Sequence, residues 1–171
     1  MKKIALLLCA VLLVGATSFA QSKKKMDKET MEWRYEVEPA VGQGAQGTFL
    51  VKVWSYAKKA DMATAQAPKN AVHAILFKGY APYNNGAVRI AGQKPIVTDP
   101  AIETQNEDFF KEFFKDGGAY SKFVTLVGNG SPETIKVGKE YKVGVTVSVQ
   151  KDALRKYLED AKIIKGLNSI F

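Results

Sequence analysis

Between Met31 and Glu38 the chain alternates without a break. Met31, Trp33, Tyr35 and Val37 fall on one side, and Glu32, Arg34, Glu36 and Glu38 on the other. A period of two with aromatic residues on one face marks a half-buried strand. The glycine-rich "PAVGQGAQG" follows, and "TFLVKVWSY" resumes the alternation with Phe49, Val51 and Val53 on a common face. Two strands joined this closely read as an antiparallel hairpin. Over residues 60 to 78 the rhythm changes: Ala63, Ala67, Ala71, Ala74 and Ile75 make a helical stripe that Leu76 and Phe77 widen. Small residues on that stripe let the helix axis lie close to a sheet. Pro68 interrupts it, and an interior proline, at about 3 kcal/mol, predicts a kink or a second helix start. Gly79 ends the segment.

Residues 79 to 99 show no sustained period. Asn85-Gly86 is a type I′ turn signal, which places a small hairpin between Ala81 and Ile90 within a long loop. Asp99-Pro100 reads as a helix start. Thr104 with Glu107 offers a competing capping box, and the earlier start is preferred. This helix carries Phe109, Phe110, Phe113 and Phe114 and ends at Gly117. "YSKFVTLV" and "YKVGVTVSV" then read as strands around the "GNGSP" turn, with a short extended piece at "TIKV". The last helix begins near Asp152, with Leu154, Tyr157, Leu158, Ala161 and Ile164 as its stripe. Lys162 and Lys165 suit its dipole, and Gly166 ends it. "FLVKVWSYAKKAD" and "YKVGVTVSVQKDA" echo one another, each running from a strand through a lysine-bearing turn into a helix. The order ββα-loop-αββα predicts one α+β domain over residues 31–171: a mostly antiparallel sheet with helices on one face.

Composition changes the picture mainly at the N-terminus. Lys2 and Lys3, the apolar "IALLLCAVLLVGA", and small residues at Ser18 and Ala20 predict a signal peptide cleaved before Gln21. Cys9 leaves with it, so the exported chain has no thiol for a disulfide, a nucleophile or a metal. No later run approaches the roughly 20 apolar residues of a membrane span. The formal charge of +8 falls to +6 once Lys2 and Lys3 are removed. Lys23, Lys24 and Lys25 belong to an expected flexible basic tail at 21–30. Basic residues do not otherwise cluster, which argues against nucleic acid as a partner. The expected address is periplasmic or secreted, at most peripheral to the outer membrane.

Catalytic chemistry has little to work with. His73 is the one histidine, and Ser55 and Asp61 are candidate partners with no motif linking them to it. Neither a Gly-x-Ser-x-Gly elbow nor a His-Glu-x-x-His pair is present. His73 is therefore expected at a helix border, bonded to backbone or water, and no catalytic residue is assigned. One histidine and no cysteine make zinc improbable. "NEDFFKE" and "TDPAIETQNED" lack the alternation of a calcium loop. No metal and no cofactor is expected. "GQGAQG" joins two strands and does not open a helix, so it lacks the geometry of a phosphate loop.

Two regions remain as binding candidates. Tyr80, Tyr83, Asn84, Asn85, Arg89 and Lys94 offer ring faces, amides and positive charge, a mixture suited to a saccharide, a peptide or an anionic polymer. Phe109, Phe110, Phe113 and Phe114 read first as a core-facing helix, and as a partner face only if exposed.

Taken together, "GTFLVKVWSYAKK", "NAVHAILFKGY", "FFKEFFKDGGAYSKFV" and "VGVTVSVQKDALRKYLEDAKIIKGL" resemble a family of small secreted proteins from Bacteroidetes-type Gram-negative bacteria. The resemblance spans nearly all of the exported chain. It implies export and a single domain, and it carries over no catalytic residue. The resulting expectation is a non-enzymatic envelope protein that binds a cell-envelope protein or cell-wall component. The alternatives are a small-ligand, glycan or peptide binder using the 80–94 loop, and a hydrolase.

Overall fold

The computed structural model describes residues 32–42, 44–128 and 132–166. The expected signal peptide and the tail at 21–30 lie outside the described residues, and the fold below is that of the unit beginning at Arg34. Strand β1 (Tyr35–Pro39) pairs antiparallel with β2 (Thr48–Ala57), Tyr35 opposite Ser55 and Val37 opposite Val53. Helix α1 (Ala60–His73) follows, closed by a π-helical turn at Ala74–Lys78. A small hairpin pairs β3 (Tyr83–Asn84) with β4 (Arg89–Ile90). Then come α2 (Ala101–Gln105), α3 (Glu107–Phe114), a 3₁₀ turn (Ala119–Phe123) and β5 (Val124–Leu126). Strands β6 (Glu133–Val137) and β7 (Glu140–Gln150) and helix α4 (Lys151–Asp160) complete the chain.

The sheet runs β1-β2-β7-β5, with β6 also on β7. Eleven-residue β7 takes β2 along one edge, and β5 and β6 share the other. It is an α+β fold with an antiparallel sheet. Alternation decides what each sheet face does. Val51, Val53 and Ser55 of β2 and Val143, Val147 and Val149 of β7 are fully buried beneath α1, whose Ala63, Ala67 and Ala71 are buried with them. The opposite face is a lattice of pairs: Lys142 to Glu36 at 2.8 Å, Lys52 to Glu133 at 2.6 Å, and Trp54 Nε1 donating to Glu38 at 2.9 Å. Tyr56 also donates to Glu36.

Several expectations need correction. Pro68 does not start a second helix: α1 continues through it from Ala60 to His73, because the alanine stripe packed on the sheet outweighs one lost helical bond. The preferred start after Asp99-Pro100 is the one used, and the Thr104 capping box is not: Thr104 lies inside α2, and a second helix starts behind Asn106. The Asp99 carboxylate accepts the Ala101 N–H at 2.9 Å, and the chain breaks at Asn106 before α3 begins at Glu107. The first half of "YSKFVTLV" is a 3₁₀ turn, not strand, since its three-residue period brings Tyr120 and Phe123 inward together. "TIKV" is a true strand within β6. Helix α4 stops at Asp160, short of Gly166. Lys162 adopts the left-handed conformation (φ 59°), and the Ile163 N–H reaches back to the Leu158 carbonyl at 2.9 Å. Lysine thus occupies the closing position where glycine is the usual choice.

Candidate binding cleft

The hydrogen-bond parity of β1 creates an edge with unused backbone groups. The Ala40 N–H bonds the Leu50 carbonyl, and the Tyr56 N–H bonds the Arg34 carbonyl. Even-numbered residues of this register therefore face β2, as the antiparallel pattern requires. Tyr35, Val37 and Pro39 turn their backbone groups to the open edge. Proline at 39 fits, since only an edge position tolerates its missing N–H.

That edge forms one wall of a cleft of about 740 Å³. Tyr35, Glu36 and Val37 line one side; Lys78 to Pro82 and Gly92 to Pro95 line the other. The second wall is a fixed structure, although it belongs to the stretch without a period. The π-helical turn leaves the Ile75 and Leu76 carbonyls to accept the Ile96 and Val97 N–H groups, at 3.0 and 2.8 Å. Ile96 and Val97 are buried, which anchors this arm. Tyr80 and Gln93 exchange two backbone bonds of 2.9 Å each. Gly79 makes the close approach possible. Its φ is 66°, and a Cβ there would lie 2.1 Å from the Gln93 carbonyl oxygen.

The charge of the cleft is positive. Lys94 makes no ion pair among the described residues, and the Lys78 ammonium lies 3.9 Å from the centroid of the Tyr35 ring. Burial lowers the Lys78 pKa, and the Glu103 carboxylate works against that shift. Glu36, the acid in the lining, is already held by Lys142 and Tyr56, which pull its carboxyl below the usual range.

Behind Tyr35 lies a buried polar chain. The Tyr35 hydroxyl is 2.6 Å from His73 Nδ1, and His73 Nε2 is 3.1 Å from Glu103 Oε1. A carboxylate only accepts, so Nε2 carries the ring hydrogen and Nδ1 accepts from the tyrosine. His73 is 3 % exposed and packs against Phe77 and Phe114, not at a helix border facing water as the sequence implied. Its partners are Tyr35 and Glu103, whereas Ser55 accepts from the Asn70 amide at 2.8 Å. The connectivity is that of a hydroxyl, a base and an orienting acid. The electrostatics run the other way, because burial, with Glu103 adding to it, pushes the Tyr35 phenol well above its ordinary value. Burial also lowers the His73 pKa despite Glu103. A neutral phenol bonded to a neutral imidazole in the core ties β1 to α1 and α2.

The six loop residues singled out from sequence divide. Tyr80 and Lys94 line the cleft, whereas Tyr83, Asn84, Asn85 and Arg89 form the hairpin beside it and are not in its lining. Asn84 and Asn85 spend their amide oxygens on the turn: Asn84 accepts the Gly86 N–H, and Asn85 accepts those of Ala87 and Val88. Phe110, Phe113 and Phe114 are buried and Phe109 is half-buried. These rings meet Phe77, Tyr120, Phe123 and Tyr157, so Phe110, Phe113 and Phe114 form core, and Phe109 stays half-buried beside Tyr157. Sequence reasoning missed Tyr35, Lys78 and Glu103. The signal available was the polar stripe Gln66, Lys69, Asn70 and His73, spaced for one helix face and buried in the structure.

No protein-family model, curated protein or solved structure matches the chain. Among the described residues, no group of three or more His, Cys, Asp or Glu side chains is placed to hold a metal, and no helix is long and apolar enough to cross a membrane.

Proposed function

We propose that this is an exported, non-enzymatic binding module that engages a component of the cell envelope through the cleft between β1 and the 78–95 segment. The observation that carries this reading is the construction of the second wall. Residues without secondary-structure periodicity are held by backbone bonds to a π-helical turn and by the Tyr80–Gln93 exchange. Long irregular segments fixed in this way, with ring faces and cations turned to a concavity, are the usual material of binding sites. The occupied nitrogens of His73 and the raised Tyr35 phenol support binding over hydrolysis. The leader-like first twenty residues support export.

Site-specific photocrosslinking in intact cells tests it. A photoreactive residue at Lys94 is expected to give a discrete adduct that the same residue at Lys111, an exposed position of α3, does not. Equal adducts from both positions, or none from Lys94, would overturn the cleft as the binding site.

A further inference from the structure

We propose that the cleft takes an extended, acidic peptide segment, which adds to β1 as a further antiparallel or parallel strand. This rests on the reading of the cleft as the binding site and names its ligand class. Three consecutive residues of one strand, Tyr35, Glu36 and Val37, line the cleft, and they do so because the strand presents its edge to it. The backbone groups of Tyr35 and Val37 point there and have no backbone partner among the described residues. An edge of this kind is completed by another strand's N–H and C=O groups, the source of affinity when a peptide extends a sheet.

The opposite wall supplies selectivity. Pro82 and Pro95 lie within it and lack N–H groups, so the wall is poorly suited to pairing with β1 itself. Lys78 and Lys94 stand along it, and Glu36 is neutralised by Lys142. An incoming segment with aspartate or glutamate in alternate positions meets cations on the wall side while its backbone pairs with β1. The half-buried Tyr80 ring offers a surface for an apolar neighbour. A glycan's hydroxyls could bond single groups of the β1 edge but do not match their repeat along the strand. A peptide backbone matches that repeat.

The test is selection of peptides from a displayed library of random nonapeptides on the purified exported protein, followed by binding measurements with the synthetic winners. Enriched sequences are expected to be rich in Asp, Glu and β-branched residues and poor in proline. N-methylation of alternate residues is expected to weaken binding about tenfold or more, the effect of losing one or two backbone hydrogen bonds. Val37→Pro removes an edge N–H at a position where proline is sterically allowed, and should have the same effect with circular dichroism unchanged. Lys94→Glu, on an exposed side chain, should weaken acidic peptides and spare the fold. Peptides that tolerate both N-methylation and Val37→Pro, yet shift the Lys78 and Lys94 amide resonances, would overturn strand addition and leave the cleft standing. A library with no enrichment would overturn the peptide ligand alone, and peptides whose shifts map elsewhere would overturn both.

Discussion

The two edges of the sheet are built from similar material and end differently. On one side β6 presents Glu133–Val137 with every residue exposed and a charge at Glu133 and Lys136. Nothing among the described residues faces it as a second wall. On the other side β1 is as short, carries Glu36 and Glu38, ends in Pro39, and looks into a cleft. Charge, proline and brevity are the ordinary ways a fold blunts an edge against unwanted pairing. Both edges use charge and brevity, and β1 adds the proline. The β1 edge adds an ordered wall, cations and an internal tether through Tyr35 and His73. A strand arriving at β6 gains backbone bonds alone, whereas one arriving at β1 is also read by side chains. An edge becomes a recognition site when something opposite it discriminates between segments.

The change expected to break this comparison most severely is Gly79→Val. A β-branched residue at φ 66° with its Cβ 2.1 Å from the Gln93 oxygen should cost about 3 kcal/mol or more. A fall in the urea midpoint, with Tyr80 and Gln93 resonances displaced and those of β6 in place, is the expected result. His73→Phe comes next. It strands the buried Tyr35 hydroxyl, at about 2 kcal/mol, and should loosen β1 but not β6 in amide exchange.

Acid sharpens the same contrast more gently. His73 has a folded pKa below its ordinary 6.5, so the unfolded chain takes up the proton first. Its contribution is present in full above about pH 6.5 and is lost as the pH falls through the folded value. Urea midpoints measured downward from about pH 7.5 should therefore decline near pH 6 in the parent and stay level in His73→Phe. Glu36 and Glu140 are also held below their usual 4.5, by Lys142 and Arg34, so their loss belongs to a separate window below that pH. The smallest effect is expected from Ile135→Glu on the β6 edge. It should change stability by no more than about 0.5 kcal/mol and leave cleft binding untouched.

The parts of this molecule legible from sequence are those governed by local period. The strands at 35–39, 48–57 and 140–150 follow from alternation, α1 and α4 from stripes, and the β3–β4 hairpin from Asn85-Gly86. The cleft was half legible. Tyr80 and Lys94 stood out as polar residues in an aperiodic stretch, but the other wall is a strand edge, and which edge stays unpaired depends on sheet order. The Tyr35–His73–Glu103 chain joins residues 38 and 30 positions apart with no motif between them. Tyr35 looked like one more apolar position in an alternating strand. Only packing α1 and α2 against β1 reveals its hydroxyl as part of a buried polar chain.

Amide hydrogen exchange at Val37, with and without a selected acidic peptide, tests the central claim most directly. In the free protein the Val37 N–H should exchange quickly while those of Glu36 and Glu38, bonded to β2, are slow. On peptide binding Val37 should become protected by about tenfold or more, with β6 unchanged. A peptide that binds while Val37 continues to exchange freely would contradict the account.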